Sequence, residues 1–195
     1  MNLDGDKQSD LKVHGGKSKA VYCYPIAHYD YWKKEFPGRS LPPGSFGENF
    51  TIECPLEHFV YIGDRLSIGS AELVVTQPRL PCYKLGIRLG SGNMVNRFLE
   101  SGRSGFFMAV VTEGDVGAGD EAYLRGRDAN AVSISEINRL CIAEEFGVGD
   151  ARQVRRGLKV EALPDSWKRI LPGKIESSWR VTFLIPARGV TPVIF

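Results

Sequence analysis

Glycine divides the first two thirds of the chain into short segments with a strand-like pattern. In Arg65–Ile68 and Ala71–Gln77 apolar residues alternate with polar ones, and Gly69 and Ser70 separate the two segments. Alternation with a period of two is typical of strands that bury one face, and a Gly-Ser pair between them predicts a two-residue hairpin turn. Many short strands joined by frequent turns favour a barrel or a sandwich over a parallel α/β sheet.

Two more strands and two helices are predicted in the same region. Phe106–Val111 is a continuous apolar run, so we expect a strand that is buried on both faces. Glu121–Arg125 follows a turn rich in glycine and aspartate, and we expect it to be the neighbouring strand. Apolar residues near a period of 3.6 predict helices at Pro25–Phe36 and Asn93–Ser101, the second capped by Gly102.

After residue 130 the apolar spacing becomes helical. Ser133-Ile-Ser-Glu136 has the spacing of a capping box at a helix start. We expect this helix to end at Gly147, Asp150 to cap a second helix, and a third, short helix to run from Asp165 to Leu171. The chain is therefore predicted to be a strand-rich domain to about residue 128 with three helices appended to it.

Composition excludes several classes of protein. The 25 basic and 23 acidic residues leave a net charge of +2, which lacks the basic excess of a nucleic-acid-binding protein. No apolar run approaches the ~20 residues that span a bilayer, and the first residues lack the pattern of a secretory signal. The four cysteines form no Cys-x-x-Cys pair, which argues against a disulfide-stapled domain or a structural zinc site. We expect a cytoplasmic protein.

The first segment that could carry chemistry is 12–20. His14, Gly15 and Gly16 are followed by Lys19, so the backbone can turn close to a ligand and a cation can face an anion such as a phosphate. The spacing of a P-loop is absent. Taken alone, a Gly-Gly turn with solvated lysines and a structural histidine is the more common outcome.

A second segment, 44–50, places Glu48 and Asn49 beside Gly47, where they offer hydrogen-bond acceptors and donors next to a bend. Taken alone, it predicts an ordinary turn before a strand. Arg103, in a glycine-rich loop, is a further candidate for binding an anion, although such a residue is more often a solvated loop charge.

The third segment, 77–85, contains Cys82 between two cations. Pro78 and Pro81 make the loop rigid, and Arg79 and Lys84 favour the thiolate form, which is both nucleophile and metal ligand. A buried, inert cysteine is the usual alternative.

Five motifs together are more specific than any one of them. They are Gly5-Asp6, Lys12-Val-His-Gly-Gly16, Phe46-Gly-Glu-Asn49, Gly63-Asp64 and Pro78-Arg-x-Pro-Cys82. This succession resembles the MOSC domain, a family named after the C-terminal domain of eukaryotic molybdenum-cofactor sulfurases. It is most similar to the bacterial YiiM-like branch, in which three helices follow the core.

The resemblance implies a fold and a set of site residues. It implies a β-barrel-like MOSC domain over 1–128, a three-helix appendage over 129–180 and an atypical tail over 181–195, and we expect the barrel to lack the family's N-terminal strands. Cys82 would be the molybdenum ligand and catalytic residue. The residues that would bind the molybdenum cofactor are His14, Gly15, Gly16, Lys19, Gly47, Glu48, Asn49, Arg79 and Arg103.

The resemblance also implies an oxidoreductase that reduces N-hydroxylated compounds, such as N-hydroxylated purines. The chain has neither a cysteine cluster for iron–sulfur nor a Gly-x-Gly-x-x-Gly fingerprint, so we expect an external electron-donor protein. No nucleic-acid or membrane partner is expected, and a homodimer is compatible with the pattern. One alternative is a sulfur carrier with a persulfide on Cys82. Another is a non-catalytic module whose helices dock a partner.

Overall fold

The computed structural model describes residues 15–54, 56–142 and 148–178. The described strands are β1 Val21–Pro25, β2 Phe50–Ile52, β3 Arg65–Ile68, β4 Ala71–Pro78, β5 Phe106–Thr112 and β6 Ala122–Gly126. The described helices are α1 Ala27–Glu35, α2 Tyr83–Arg88, α3 Met94–Ser101, α4 Ile134–Ile142, α5 Val148–Gly157 and α6 Asp165–Ser178, with a short 3-10 helix at Lys17–Lys19. Gly5, Asp6, His14, Gly147 and the tail 181–195 lie outside the described residues.

The six strands form one curled sheet, a half-barrel, in the order β2-β1-β5-β4-β3-β6. All neighbours are antiparallel except β1 and β2, which are parallel. The mainly β, barrel-like fold followed by helices is therefore confirmed, while the domain boundaries stay predictions. No helix in the described part of the chain is both long and apolar enough to cross a membrane.

The predicted hairpin of β3 and β4 is confirmed, with Gly69 in the left-handed region at φ 55°. Two strand predictions need correction. The strand from Phe106 is not buried on both faces, because its burial alternates and its C-terminal end is exposed. Strand β6 pairs with β3 and not with β5, because β1 and β4 already occupy the two edges of β5.

Most helix predictions hold, with shifted ends. Helix α1 begins at Ala27 because Pro25 is still paired within β1, and Gly102 ends α3 in the left-handed conformation. The capping box is confirmed: the Ser133 amide donates to the Glu136 carboxylate at 2.7 Å, and the Glu136 amide to Ser133 Oγ at 3.1 Å.

Three helix details differ from the sequence-based expectations. Asp150 lies in the first turn of α5 instead of capping it, because that helix begins two residues earlier. Helix α6 continues past Leu171 to Ser178. The six-residue helix α2, which directly follows Cys82, was not predicted, because it is too short to show a periodic pattern.

The sheet separates two apolar cores. Val21 and Cys23 of β1 pack in a core that includes buried residues of α4, α5 and α6. Tyr22 and Tyr24, which alternate with them, belong to a second, largely aromatic core built with α1 and α3. The indole nitrogen of Trp32 donates to the Tyr24 hydroxyl at 2.7 Å, so this second core also satisfies its polar atoms.

A buried hydrogen-bonded pair, His28 and Glu57, supports the start of β5. His28 Nε2 lies 2.8 and 2.9 Å from the carboxylate oxygens of Glu57, which also accepts the Gly105 amide at 2.9 Å. Burial by itself would raise the pKa of Glu57, but the hydrogen bonds and charge of His28, together with the Gly105 amide, hold it below the ordinary 4.5.

We expect Glu57→Gln to reduce the free energy of unfolding by about 2 kcal/mol at neutral pH. A lowered carboxylate pKa adds stability above the pKa of the unfolded chain, and this stability is lost as pH falls through the folded-state pKa. The difference between the two proteins should therefore shrink below pH 4.5. Urea unfolding of both proteins at neutral and acidic pH measures it, and a difference that grows on acidification would contradict the assignment.

Candidate functional site

Arg79 joins three parts of the fold at the end of β4. Its Nη1 donates to the Phe46 carbonyl, and its guanidinium lies 4.6 Å from the ring centroid of Tyr22 and 5.8 Å from that of Phe98. The side chain is half-buried. A guanidinium held over an aromatic ring keeps its remaining N–H groups in fixed directions. The predicted Arg79 is therefore a rigidly placed cation beside the Gly47 loop.

Cys82 directly precedes α2, and its carbonyl accepts the Leu85 amide at 3.0 Å. Its side chain is half-buried. Burial raises the pKa of Cys54 to about 12 and that of Cys23 well above its ordinary value, so both stay protonated thiols at neutral pH. Cys82 lies three residues after Arg79, in the loop between β4 and α2.

Glu48 holds the loop that carries Gly47. Its carboxylate accepts the Tyr29 hydroxyl, the Gly44 amide at 2.9 Å, the Phe46 amide at 3.1 Å and the Thr51 hydroxyl at 2.9 Å. Burial, and then the bond to Glu48, raises the pKa of Tyr29, which therefore donates as a neutral phenol. With four donors and 8% exposure, Glu48 shapes the loop from inside.

Asn49 and Gly47 place this loop against β1. Asn49 Oδ1 accepts the Tyr22 amide at 2.8 Å, and the Asn49 amide donates to the Tyr22 carbonyl at 2.9 Å. Gly47 has φ 80°, and a Cβ built there would lie 4.0 Å from Arg79 Nη2. A side chain at Gly47 would thus be strained and would narrow the space beside the guanidinium.

The Gly15–Lys19 segment reaches the same end of the sheet. Gly16 has φ 102°, and its carbonyl accepts the Lys19 amide at 2.9 Å in the short 3-10 helix. The Thr76 hydroxyl lies 2.6 Å from the Ser18 carbonyl, which ties this segment to β4 three residues before Arg79. Partial burial lowers the pKa of Lys19.

Arg103 is oriented differently from the other predicted residues. Its guanidinium lies 3.9 Å from the ring centroid of Tyr31, and its Nη1 donates to the Ser101 carbonyl at 2.9 Å. These contacts fasten it to α1 and to the end of α3. The structure thus connects Arg79, Gly47 and Asn49 through Tyr22, while Arg103 is anchored on a neighbouring element.

A cleft of about 1110 Å³ lies between the two edges of the half-barrel. Its walls include strand β2, residues 116–123, Glu48 and Asn49. Cys82 and Arg79 are not among the residues that line it. The cleft is the opening of the curled sheet, and the candidate chemistry lies beside it.

Sequence reasoning missed two residues that organise the site. Tyr22 underlies Arg79 and pairs with Asn49, and its hydroxyl donates to the Ser104 carbonyl at 2.8 Å. Thr76 ties the Gly16 segment to β4. Tyr22 and Cys23 lie on opposite faces of β1, a strand that the sequence pattern did not predict, and no local signal shows which side chains a cation will meet.

Comparison with known proteins finds relatives of this chain by sequence. Uncharacterized protein YflK of Bacillus subtilis is 38% identical over 167 residues, 86% of this chain and 74% of that protein. Protein YiiM of Escherichia coli is 34% identical over 188 residues, 90% of this chain and 80% of that protein. A protein named Reductase from Gibberella moniliformis is 32% identical over 138 residues, 69% of this chain and 25% of that protein.

A solved structure of a YiiM protein has the same fold as this chain. The crystal structure of YiiM from Geobacillus stearothermophilus superposes with a TM-score of 0.76 at 32% identity, covering 83% of this chain and 80% of that one. The family model of the MOSC domain matches residues 10–123, which include the Gly16, Gly47 and Cys82 segments. With that match and this half-barrel, the chain belongs to the MOSC domain family and is YiiM-like within it.

Proposed function

We propose that the chain binds the molybdenum cofactor through Cys82 and reduces N-hydroxylated compounds such as N-hydroxylated purines. The observation that supports the proposal is the loop between β4 and α2, which carries the half-buried Cys82 three residues after Arg79, whose guanidinium is held by the Phe46 carbonyl and the Tyr22 ring. MOSC domains are associated with this cofactor, and one relative is named a reductase.

The residues present fit such a group. A cysteine thiolate is a soft ligand suited to molybdenum, and the cofactor's phosphate requires cations. Arg79 supplies one cation, and the half-buried Lys19 on the adjacent segment supplies a second. Gly47 leaves the space beside the guanidinium free of a side chain. Glu48 and Asn49 then act by holding the Gly47 loop in place.

The proposed reaction needs two electrons and two protons. It breaks the N–O bond of an N-hydroxylated substrate and forms the amine and water, and when bound the cofactor supplies the two-electron redox centre. The electrons would come from an external redox protein. In this scheme Cys82 holds the metal, Arg79 and Lys19 hold the anionic end, and the Tyr22 stack keeps Arg79 oriented.

Two measurements on the purified full-length chain test the proposal. The protein is produced in a host that makes the cofactor, and its molybdenum is counted by elemental mass spectrometry. Conversion of an N-hydroxylated purine is then followed with a chemically reduced dye as donor. Near-stoichiometric metal with amine formation supports the proposal. Absence of metal together with a mass gain of about 32 Da on Cys82 would replace it with the sulfur-carrier alternative.

We expect Arg79→Lys to lower molybdenum retention about tenfold after extensive dialysis, because lysine keeps the charge but loses the planar stack on Tyr22. Arg88→Lys is the matched control. Arg88 is exposed and donates to the Gly44 carbonyl at 2.7 Å, so it contacts the same loop without facing Tyr22. Equal retention by both variants would show that Arg79 has no special part in holding the cofactor.

A further inference from the structure

Strand β4 is irregular just before the cysteine loop. Val75 lies opposite Met108 and Gln77 opposite Phe107, so Thr76 is an extra residue on this strand. Such a bulge bends a strand and redirects the side chains that follow it. The direction in which β4 leaves the sheet, and with it the position of the Pro78–Cys82 loop, therefore depends on what holds the bulge.

The three-helix unit, which consists of α4, α5 and α6, contacts this bulge. Trp167 of α6 donates its indole N–H to Gln77 Oε1 at 2.6 Å, across 90 positions of sequence. Both side chains are buried, Gln77 at 1% exposure and Trp167 at 4%. A buried hydrogen bond of this kind fixes the orientation of both partners, because breaking it would leave each one unsatisfied.

Gln77 carries a polar group that lowers the stability of the folded protein. Its Nε2 is buried and has no hydrogen-bond partner within the described residues. An unsatisfied buried donor costs about 1–3 kcal/mol, and an apolar side chain of similar size would avoid this cost. The same replacement would also leave the buried indole N–H of Trp167 without its acceptor, so the Gln77 amide is tied to Trp167.

A second hydrogen-bonded link joins the helical unit to the site. Asn138 of α4 donates from Nδ2 to Ser104 Oγ at 2.7 Å, and the Ser104 carbonyl accepts the hydroxyl of Tyr22. Tyr22 is the ring on which the Arg79 guanidinium lies. The helices are thus connected to Arg79 by two routes. One runs from Trp167 to Gln77, two residues before Arg79 in β4, and the other from Asn138 through Ser104 to the Tyr22 ring.

We infer that the three-helix unit positions the Arg79–Cys82 loop, and that Trp167 acts as a positioning residue through Gln77. Any effect of this positioning on catalysis rests on the proposed function. The position of the Cys82 thiol is independent of that function, because it can be measured in protein that carries no cofactor.

The experiment measures alkylation of Cys82 by iodoacetamide, quantified on its peptide by mass spectrometry. The full-length proteins are wild type, Trp167→Phe, Gln77→Met and the double variant, all from a host that does not make the cofactor. Phenylalanine removes the indole donor and methionine the amide acceptor, while both keep an apolar side chain in place. Leu171→Val is the control, because it trims a buried side chain of the same helix and removes no hydrogen bond.

Each single variant should alkylate Cys82 about threefold faster or more, because a released loop exposes the half-buried thiol. The double variant should be no faster than one single variant, since both changes break the same bond. Leu171→Val should keep the wild-type rate despite a lower unfolding temperature. Wild-type rates in the single variants, additive effects in the double variant, or equal acceleration by Leu171→Val would each overturn the inference.

Gln77→Met is read by itself if Trp167→Phe does not fold. Molybdenum retention in the same variants, produced in a cofactor-making host, is the second readout. We expect it to fall in the single variants and not in Leu171→Val. A wild-type chain that takes up no metal would count against the proposed function, whereas the alkylation rates would still decide the inference.

Discussion

Cys82→Ala is expected to lose nearly all bound molybdenum, from about one atom per chain to less than about a tenth of that, when the protein is produced in a cofactor-making host. The thiolate would be the bond from the protein to the metal, and alanine offers no ligand. Elemental mass spectrometry of the purified variant measures the loss, and reduction of an N-hydroxylated purine should disappear with it.

The same substitution should leave the fold intact. Cys82 is half-buried and its side chain caps no helix amide in the described structure, so we expect the unfolding temperature to change little. Cys54→Ala is the matched control, because Cys54 is also half-buried but stays a protonated thiol at neutral pH. A fully metallated Cys82→Ala protein would rule out Cys82 as the ligand, and loss of metal from Cys54→Ala would point to a general effect of removing a thiol.

Glu48→Ala is expected to lower the free energy of unfolding by about 3 kcal/mol or more, which corresponds to about 6 to 12 °C in unfolding temperature. The substitution removes the acceptor of two buried donors, the Tyr29 hydroxyl and the Phe46 amide, and of two part-buried donors, the Gly44 amide and the Thr51 hydroxyl. Since the turn then keeps only its backbone acceptors at Pro42 and Gly44, the contact of the Gly47 loop with Arg79 should weaken. Urea unfolding measures the loss of stability.

Two further variants test how much of this stability comes from single hydrogen bonds of Glu48. Glu48→Gln keeps one acceptor oxygen and should lose less stability than alanine, while Tyr29→Phe removes a single donor and should cost about 1 kcal/mol. If Glu48→Ala unfolds with wild-type stability but loses cofactor, Glu48 would be a direct ligand contact. The donors that surround Glu48 predict instead that stability falls first and that any loss of cofactor follows from it.

The Gly47-Glu48-Asn49 motif shows what the structure adds to a motif. The resemblance to the family predicts that all three residues bind the cofactor, and this stays a prediction. In the fold, Glu48 points inward to its donors, Asn49 pairs with the backbone of Tyr22, and Gly47 provides open space beside Arg79. A motif records that residues occur together, but the direction of each side chain depends on backbone torsions and on which donors surround it.

Arg103 is a second residue whose contacts the local sequence does not show. As a cation in a glycine-rich loop it remains a predicted anion-binding residue. In the structure its guanidinium contacts the Tyr31 ring and the Ser101 carbonyl, which the loop sequence does not show. Arg79 had the same local appearance, yet Tyr22 and Phe46 orient it toward the Gly47 loop.

By itself the sequence determined the features that depend on neighbouring residues. These are the β3–β4 hairpin, the glycine that ends α3, the capping box of α4, and the ordered motifs that identify the family. Each rests on short-range torsional or hydrogen-bonding preferences, which act within a few residues whatever the rest of the chain does.

Only the tertiary structure decided the features that join distant parts of the chain. The pairing of β6 with β3, the stack of Arg79 on Tyr22, and the bond from Trp167 to Gln77 span between 54 and 90 positions. The bond from Trp167 to Gln77 forms because burial in a shared core leaves few polar partners within reach, and a buried polar group must find one. The other two contacts depend on which strands the curled sheet brings side by side. That selection depends on the geometry of the whole sheet, which no local pattern contains.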